Sequence, residues 1–401
     1  MHLTHLSLTD YRAFTRLDMD VPRRVLVLVG ANAQGKTSVL EAIYYLATFN
    51  SFHTHTDRQL INFMVCERTP SVARIVATFQ RGDRVQRLEV RLILENGGNS
   101  GGRFRREILL DGVKRNATEV LGTFTAVIFL PQMTRIIEGE PDERRRYLNL
   151  ALSQAVPGYA MALNEYDKAL TQRNALLRLL AERGGDPDQL RTWDEMLAER
   201  GSILIHARIG AVQEIERLAA RLHHRLTHSQ EVLRLVYQPA FDPLQQPEAQ
   251  YALPLKTNIQ RNSFSRDQIR QGFLQRLAAL RSEEIARGVT TIGPHRDELH
   301  FLSNGVDLGD FGSRGQVRTA LMSLKLAEMT WLRERTGEWP VLLLDEILAE
   351  MDVQRRKDLL DTLGEVEQAI LTTTDLNLFQ DDFVSHTTLW TVKAGRIEVA
   401  S

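Results

Sequence analysis

The spacing of apolar residues predicts a mixture of strands and helices in the first third of the chain. Leu6 and Leu8 alternate with polar neighbours, as in a half-buried strand, whereas Val25–Val29 is apolar throughout, as in a strand buried on both faces. A helical pattern with one apolar face starts near Lys36. Over residues 71–130 the period changes to two, which predicts an antiparallel sheet with a glycine-rich turn at 96–102.

Residues 142–288 have a mainly helical pattern that is rich in leucine, arginine and glutamate. A proline-rich stretch at 239–254 interrupts it, and no heptad repeat persists far enough to predict a long coiled coil. Strand and helix patterns then alternate again, with a helix over 314–335 and buried strands over 341–344 and 369–372.

Strand and helix patterns at both ends of the chain, with a helical middle, predict a split architecture. We expect residues 1–140 and 289–401 to form one α/β domain with an antiparallel β lobe. Residues 141–288 would form a helical arm domain inserted into it. A chain of 401 residues is long enough for two such domains.

Composition limits the possible partners and surroundings. The formal net charge is −1, so no global positive field attracts nucleic acid, and a DNA site would have to be a local patch or form on assembly. Cys66 is the single cysteine, which rules out an internal disulfide and fits a reducing cytoplasm. No signal-peptide pattern opens the chain and no apolar run is long enough to span a membrane, so we expect a cytoplasmic protein.

The segment after Val25–Val29 fits the phosphate-loop pattern G-x-x-x-x-G-K-[ST] at every fixed position. Glycines allow the backbone to turn its N–H groups toward phosphate, and the following helix adds its positive end. Lys36 is expected to reach the β- and γ-phosphates, and Thr37 to bind Mg²⁺. The predicted nucleotide-binding residues of the loop and the first helical turn are Gly30, Ala31, Asn32, Ala33, Gln34, Gly35, Lys36, Thr37 and Ser38.

The buried strand at 341–344 is followed by two carboxylates, Asp345 and Glu346. In an open α/β sheet, an acidic residue at the carboxyl end of a central strand lies beside the loop that holds the ligand. Asp345 is therefore expected to hold Mg²⁺, and Glu346 to polarise the attacking water as general base. With Lys36, these are the predicted catalytic residues.

Two further segments resemble motifs of ABC-type ATPases. Ser313-Arg314-Gly315-Gln316 is similar to the ABC signature, usually S-G-G-Q, with Arg314 in place of a glycine, and the acidic turn ending at Asp352 looks like the D-loop. In that superfamily the signature binds the γ-phosphate of a nucleotide held by another subunit. The resemblance therefore implies that Ser313, Gly315, Gln316 and Asp352 help to bind ATP in a head-to-tail dimer.

The same resemblance assigns two more nucleotide-site residues. Gln132 follows a predicted strand, where ABC proteins place a glutamine that senses the γ-phosphate and Mg²⁺. Thr374 stands where the superfamily usually has a switch histidine, and a threonine can hydrogen-bond phosphate but carries no charge. We therefore expect slow ATP hydrolysis.

Longer segments resemble the RecF family. Residues 131–149 are similar to its pattern P-[DE]-x3-apolar-apolar-x-G-x-P-x2-R-R-x-aromatic-apolar-[DN], departing at Gln132, where the family usually has an acid. Residues 291–297, T-I-G-P-H-R-D, look like the family's T-x-G-P-H-R-D, and D-Y-R-A-F at 10–14 is similar to its N-[YF]-R-N segment. These similarities are spread over nearly the whole chain and are weakest in the helical arm.

The resemblance implies an ABC/SMC-type ATPase head that works in bacterial DNA repair, replication and recombination and in the SOS response to DNA damage. Such a protein binds ATP and Mg²⁺, dimerises on ATP, and binds gapped duplex DNA or junctions between single- and double-stranded DNA. It helps to load RecA with RecR and RecO as partners, and it is a weak DNA-dependent ATPase with no membrane association.

Several basic residues in these segments leave two interpretations open. Arg144, Arg145 and Arg146 are either a solvated helix start or phosphate contacts. His295 is either a structural histidine or a residue near the nucleotide. Arg12 is expected to approach the nucleotide, as in related ATPase heads.

Four other protein classes share some of these motifs. A transporter subunit would have a far shorter insert than the one between Lys36 and Ser313. A structural SMC-like protein needs much longer heptad arms, and its zinc-hook variant needs a C-x-x-C that a single cysteine excludes. A GTPase would carry an Asn-Lys-x-Asp motif, which the sequence lacks, and a small-molecule kinase has no use for the signature serine.

Overall fold

The computed structural model describes residues 1–54, 56–65, 70–95, 103–244, 261–379 and 381–399. Contacts divide the chain into two compact units, Met1–Met133 with Met322–Ser401, and Thr134–Leu321. The glycine-rich turn predicted at 96–102, the single cysteine, and most of the proline-rich stretch lie outside the described residues.

The described strands and helices, in chain order, are β1 (His2–Tyr11), β2 (Phe14–Asp20), β3 (Val25–Val29), α1 (Lys36–Thr48), β4 (Ser71–Arg81), β5 (Arg84–Glu95), β6 (Arg103–Leu110), β7 (Val113–Arg115), α2 (Ala117–Val120), β8 (Ala126–Phe129), α3 (Arg135–Glu138), α4 (Pro141–Ala155), α5 (Tyr159–Arg183), α6 (Arg191–Leu226), β9 (Leu233–Gln238), α7 (Arg266–Arg287), β10 (Glu298–Ser303), β11 (Val306–Asp307), α8 (Leu308–Phe311), α9 (Arg314–Thr336), β12 (Val341–Asp345), α10 (Val353–Leu363), β13 (Ala369–Thr373), α11 (Asp381–Ser385), β14 (Thr388–Lys393) and β15 (Arg396–Val399).

A largely parallel sheet forms the centre of the first unit. Its strand order is β15-β14-β3-β13-β12-β8, and β15 is the one strand in it that pairs antiparallel. Every residue of β12 and β13 is buried, as expected for strands covered on both faces. The carboxyl ends of β3, β13, β12 and β8 share one edge, so the loops that follow these strands converge there.

The second sheet of the first unit is antiparallel throughout, in the order β2-β1-β4-β5-β6-β7. Helix α1 lies between the two sheets, in contact with β12, β13 and β8 of one and with β4 and β5 of the other. One hydrophobic core includes Leu3, Leu26, Ile43, Ile75 and Leu343, and thus joins both sheets and α1. The start of α1 is therefore held rigidly at the edge where the parallel strands end.

The period-two prediction over residues 71–130 is confirmed for β4 to β7 and wrong for 126–129. Strand β8 belongs to the parallel sheet, where Phe129 is opposite Leu344 of β12. All four of its residues are buried, because both of its faces are covered. A short apolar run carries no alternation that would assign it to either sheet.

The second unit contains the helices α4 to α7 and a small antiparallel sheet in the order β11-β10-β9. The mainly helical pattern predicted for the middle of the chain corresponds to α4 to α7, whereas residues 233–238 form β9, which pairs with β10 and which the sequence analysis did not predict. Leu233, Leu235 and Tyr237 are buried and alternate with more exposed residues, a period of two within a mainly helical region.

Buried ion pairs join the long helices of the second unit. Arg173 of α5 is fully buried and contacts Asp194 of α6 at 2.8 Å and Glu284 of α7 at 2.7 Å. Arg281 of α7 also contacts Asp194, at 2.8 Å. Because a buried charge is tolerated only with a partner, these contacts fix how the three helices pack.

The second compact unit, Thr134–Leu321, is longer at both ends than the helical arm predicted over residues 141–288. Residues 289–321 pack with the middle of the chain, because β10 pairs with β9 and α8 contacts α3. Among the described residues, no helix combines the length and the apolar character needed to cross a bilayer.

Candidate functional site

The loop between β3 and α1 has a backbone that favours glycine at two positions. Gly35 has a φ of 108°, and a Cβ there would lie 2.9 Å from the ring of Phe14. A Cβ on Gly30 would lie 2.3 Å from the carbonyl oxygen of Val392 on β14. Ala33 also has a positive φ, 62°, so the loop turns tightly before the helix begins.

The first turn of α1 presents a positive end to this loop. The helix has 13 residues, its N-cap Gly35 makes no side-chain hydrogen bond, and its first turn contains no acidic residue. Its dipole and first N–H groups therefore favour an anion. Lys36 is only 4% exposed, and its Nζ donates to the carbonyl oxygens of Gly30 at 2.7 Å and Ala31 at 3.1 Å.

Asp345 lies beside the second residue of α1. The Thr37 hydroxyl donates to Asp345 Oδ1 at 2.9 Å, and the Thr372 hydroxyl on β13 donates to the same oxygen at 2.7 Å. Burial raises the pKa of Asp345, the two hydroxyl groups oppose that rise, and the negative charge of Glu346 adds to it. The Asp345 carboxylate and the Thr37 hydroxyl thus lie side by side, and their oxygen atoms are ligands of the kind that a hard cation prefers.

Glu346 is held by three groups around it. Its backbone is left-handed, with a φ of 52°, and its N–H donates to the Thr372 hydroxyl at 3.0 Å. Its Oε1 is 3.0 Å from Lys36 Nζ, and its Oε2 accepts the Thr374 N–H at 3.2 Å. The backbone of Thr374 therefore contacts Glu346, while its side chain is exposed at the same edge of the sheet.

Thr372 and the β14–β15 turn are site residues that sequence reasoning missed. Thr372 bonds to both Asp345 and Glu346, and its position near the end of a buried strand was the available signal. In the turn, the N–H groups of Ala394 and Gly395 donate to the side chain and the backbone oxygen of Gln34, at 2.6 and 3.2 Å. The turn thus supports the phosphate loop from the far end of the chain.

The remaining loop residues lie before or at the start of α1, and Gln132 lies in the turn after β8. Ala31 and Asn32 are exposed, and Ser38 is half-buried in the first turn of α1. Gln132 is exposed in the 3-10 turn Pro131–Thr134 that follows β8. Since β8 is parallel to β12, Gln132 lies at the same edge of the sheet as Asp345.

The signature-like segment belongs to the second unit, where Ser313 and Gln316 form a capping box at the start of α9. The Ser313 hydroxyl accepts the Gln316 N–H at 3.2 Å, and Gln316 Oε1 accepts the Ser313 N–H at 3.1 Å. Ser313 is exposed and Gly315 half-buried, and Gln316 also donates to Glu231 at 3.3 Å. Asp352, in the first unit, is exposed and caps α10 by accepting the Arg355 N–H at 2.9 Å.

These groups fit a nucleoside triphosphate with Mg²⁺. Helix N–H groups and the Lys36 ammonium match phosphate oxygens, and Thr37 with Asp345 offers the oxygen ligands that Mg²⁺ prefers. In the part of the chain that the structure describes, no three His, Cys, Asp or Glu side chains cluster as a metal site. A Mg²⁺ ion that shares its coordination with phosphate suits this sparse ligand set.

Comparison with known proteins decides the family. A family model described as the RecF/RecN/SMC N terminal domain matches residues 2–395. The DNA replication and repair protein RecF of Roseiflexus castenholzii is 38% identical over 408 residues, which cover 99% of each chain. The chain belongs to the RecF family.

Other RecF proteins and solved structures agree. RecF of Chloroflexus aurantiacus is 37% identical over 407 residues, with 99% of each chain covered. The structure of the recombination mediator protein RecF-ATPrS in the RecFOR pathway superposes with a TM-score of 0.83 at 27% identity, covering 100% of this chain and 98% of that one. An SmcHead bound to the C-winged helix domain of ScpA is 14% identical, with a TM-score of 0.52, and covers 100% of this chain and 97% of that one; it shows the shared fold.

These matches confirm the predicted fold class. The chain has the mixed α/β fold of the RecF and SMC ATPase heads, with an antiparallel β lobe and helical segments. The RecF membership and the fold agree with the resemblance that the sequence patterns indicated.

Two basic residues in the first RecF-like segment have structural partners. Arg144 Nε and Nη2 both contact Glu298, Nε at 2.5 Å, and Nη1 donates to the Gly139 carbonyl oxygen at 2.6 Å. Arg145 donates to the Asp297 carbonyl oxygen at 2.8 Å and pairs with Asp142. The geometry favours a structural role at the start of α4 for both residues.

The second RecF-like segment places His295 inside the second unit. Its Nδ1 is 2.8 Å from the Tyr166 hydroxyl, and its Nε2 is 3.2 Å from the Thr290 carbonyl oxygen. Burial lowers the pKa of His295 to about 4, so the ring is neutral at physiological pH. These contacts favour the structural interpretation of this histidine.

Arg12 belongs to a contact with the phosphate-loop helix. Its guanidinium donates to both carboxylate oxygens of Glu41 on α1, at 2.8 and 2.7 Å. Glu41 is 1% exposed, and the Ser51 hydroxyl donates to it as well, at 2.5 Å. Arg12 therefore stabilises α1 through Glu41, which lies one helical turn after Thr37.

Proposed function

We propose that this RecF-family chain is an ATP-dependent DNA-binding repair protein. It dimerises on ATP, binds gapped or duplex DNA and junctions between single- and double-stranded DNA, and helps to load RecA with RecO and RecR. The observation that carries the proposal is the meeting of Lys36 and Thr37 with Glu346 and Asp345 at one phosphate loop. The solved RecF-ATP structure in the RecFOR pathway, 27% identical over the whole chain, supports it.

Each side chain of the site would have a distinct task with MgATP. The N–H groups of loop residues 30–38 and the Lys36 ammonium would hold the β- and γ-phosphates. Thr37 and Asp345, with Gln132 nearby, would hold Mg²⁺, which neutralises phosphate charge when bound. Glu346 would orient and deprotonate the attacking water.

Hydrolysis by this arrangement would be slow and would respond to DNA. In the described structure the Glu346 carboxylate pairs with Lys36 and accepts the Thr374 N–H, so it must leave these partners before it can act as a base. Thr374 supplies an uncharged hydroxyl where a cationic side chain would stabilise the developing charge more strongly. We infer a weak, DNA-dependent ATPase.

Residues outside the phosphate loop would serve the dimer. Ser313, Gly315 and Gln316 at the start of α9, and Asp352 at the start of α10, would contact the ATP held by a second copy of the chain. Ser313 and Asp352 are exposed, so both are accessible to a partner. DNA would lie across the paired heads, where local positively charged patches from two near-neutral chains would bind it together.

The proposal includes a functional division of the chain and a cellular place. Residues 1–140 and 289–401 would supply the ATPase head, and residues 141–288 the helical arm. Folding of 289–321 with the second unit then links the signature segment to the arm, because Gln316 donates to Glu231. With DNA and RecA as partners, the protein would act in the cytoplasm.

Sedimentation with and without Mg-ATP, repeated with a gapped DNA duplex, tests this function. We expect ATP to convert the chain to a dimer that retains DNA, and both Lys36→Arg and Ser313→Arg to prevent the conversion. Lys114→Arg and Ser385→Arg are matched controls at exposed positions of the first unit and should behave as the unaltered chain. If neither the oligomeric state nor the retention of DNA changes on addition of Mg-ATP, the proposal is overturned.

A further inference from the structure

Gln316, the last residue of the signature-like segment, has both ends of its side-chain amide engaged within its own chain. Its Oε1 accepts the Ser313 N–H at 3.1 Å, and its Nε2 donates to Glu231 Oε1 at 3.3 Å. The Ser313 hydroxyl in turn accepts the Gln316 N–H at 3.2 Å. Because this bond uses the hydroxyl oxygen as an acceptor, it leaves the O–H hydrogen of Ser313 to donate to another group.

Glu231 determines which end of the Gln316 amide faces it. Burial raises the pKa of Glu231, but hydrogen bonds from Ser303, His223 and Gln316 together bring it below its ordinary value. The ionised carboxylate can only accept hydrogen bonds, so the NH₂ group of Gln316 faces Glu231 and the amide oxygen faces Ser313. The reverse orientation would place two oxygens together at Glu231 and two N–H groups together at Ser313.

Three further contacts fix the position of Glu231. Ser303 Oγ on β10 donates to Glu231 Oε2 at 2.8 Å, and Nε2 of the fully buried His223 lies 3.2 Å from the same oxygen. The Glu231 N–H donates at 3.3 Å to the Thr227 hydroxyl, which itself donates to the His223 carbonyl oxygen at 2.8 Å. One carboxylate oxygen is thus held by α6 and β10, while the other holds Gln316.

The charge of Glu231 suits an indirect role at a nucleotide site. A carboxylate repels phosphate, so direct contact with ATP would be unfavourable. Its effect passes through Gln316 to Ser313, whose side chain is exposed. A group that is already held in its binding orientation loses less conformational freedom when the ligand arrives, which strengthens binding.

We propose that Glu231 is a positioning residue for the signature-like segment. It would fix the amide of Gln316, which holds Ser313 ready to donate to the terminal phosphate of ATP held by a second copy of the chain. The inference rests on the proposed function, to which the contact between Ser313 and ATP belongs. Because the same carboxylate contacts His223, in the last turn of the 36-residue helix α6, the position of that helix end would affect dimerisation on ATP.

Hydrogen exchange of the nucleotide-free chain, followed by mass spectrometry of peptides that cover Ser313, tests the positioning step. We expect Glu231→Ala to speed exchange of the Ser313 N–H about tenfold, because the amide that protects it is no longer held in place. Glu195→Ala, at an exposed position of α6, is the matched control and should exchange as the unaltered chain does. Unchanged exchange in Glu231→Ala would overturn the inference.

Sedimentation in saturating Mg-ATP measures the consequence for dimerisation. We expect Glu231→Ala to raise the dissociation constant of the dimer about tenfold, as for a lost hydrogen bond to a charged group. The ATP affinity of the monomer, measured at high dilution, should stay within about twofold, because the variant leaves every residue of the phosphate loop in place. Gln316→Ala should weaken the dimer as well, and combining the two variants should add little, since Glu231 acts through Gln316.

Glu231→Gln provides a second variant that keeps the size of the side chain. One of its two terminal atoms still accepts hydrogen bonds and the other now donates, so we expect the same changes at about threefold. This variant carries both measurements if Glu231→Ala does not fold, which circular dichroism determines.

The outcomes separate this inference from the proposed function. If the losses of Glu231→Ala and Gln316→Ala add in full, Glu231 does not act through Gln316, and the inference is overturned while the chain still dimerises on ATP. An equal fall in the ATP affinity of the monomer would also overturn it. If Mg-ATP leaves the unaltered chain monomeric, the proposed function is overturned and the inference falls with it.

Discussion

Thr37 and Asp345, 308 residues apart in sequence, meet through a hydrogen bond of 2.9 Å between hydroxyl and carboxylate. Thr37 is the second residue of the helix that follows the phosphate loop, and Asp345 is the last residue of β12. The contact exists because α1 and β12 share the same buried core. Chemistry at this site therefore depends on both ends of the chain.

Replacement of Asp345 by asparagine should remove Mg²⁺-dependent ATP hydrolysis and leave the fold intact. The amide keeps the size of the side chain, and its oxygen can accept hydrogen bonds from the hydroxyl groups of Thr37 and Thr372. It lacks the negative charge that strengthens the binding of Mg²⁺. We expect a loss of about a hundredfold in the hydrolysis rate. Phosphate release at increasing Mg²⁺ concentrations measures it. Asp361→Asn, at an exposed position, is the control, and full activity of Asp345→Asn would contradict the assigned role.

Replacement of Glu346 by glutamine should separate ATP binding from hydrolysis. The amide preserves shape and a contact with the Thr374 N–H but cannot accept a proton from water. Hydrolysis should fall by about a hundredfold, whereas ATP affinity should be kept and the ATP-bound dimer should persist longer. Single-turnover hydrolysis and sedimentation give the two readouts. Equal loss of binding and hydrolysis would instead assign a structural role to Glu346.

Acidification should destabilise the second unit through His295. Its pKa is about 4 in the folded chain and near the ordinary 6.5 when unfolded, so the unfolded state binds the extra proton. The stability associated with the neutral ring is present above pH 6.5 and is lost as the pH falls toward 4, by up to about 3 kcal/mol. Urea unfolding at pH 7.5, 6.0 and 5.0 should show this decline in the unaltered chain.

A variant without the histidine at position 295 isolates that contribution. His295→Gln can keep a contact with Tyr166 and does not titrate, so its unfolding midpoint should vary less between pH 7.5 and 5.0. Glu89, whose pKa is lowered to about 2 mainly by its hydrogen bond from Arg74, loses its contribution only at more acidic pH. The same pH slope in both proteins would show that His295 is not responsible.

Removal of Arg173 should destabilise the packing of α5, α6 and α7. Arg173→Met leaves Glu284 buried with its charge uncompensated and Asp194 with Arg281 as its remaining ionic partner. The free energy of unfolding should fall by about 3–5 kcal/mol, as for a broken buried ion pair. Urea denaturation monitored by circular dichroism measures the change. Arg183→Met, at the exposed end of α5, should have little effect, and equal midpoints for the two variants would contradict the assignment.

The phosphate loop, the carboxylates after the buried strand and the family could be predicted from the sequence because they depend on short segments. From Gly30 to Thr37 the spacing of residues indicates the geometry, since glycines followed by a helix turn the loop N–H groups and Lys36 toward one place. The β14–β15 turn, from the far end of the chain, then supports the loop. The pair Asp345 and Glu346 was predictable for a related reason: a buried strand in an α/β sheet ends at the ligand edge.

Contacts between distant segments decided the rest. The four apolar residues of β8 suit either sheet, and pairing with β12 alone assigns them to the parallel one. Strand β9 lies within a mainly helical region, and its pairing with β10 is what makes it a strand. Thr372 is a site residue only because β13 lies beside β12. Local spacing determines what a segment can bind, whereas burial in a common core determines which segments meet, and that core forms only when the whole chain has folded.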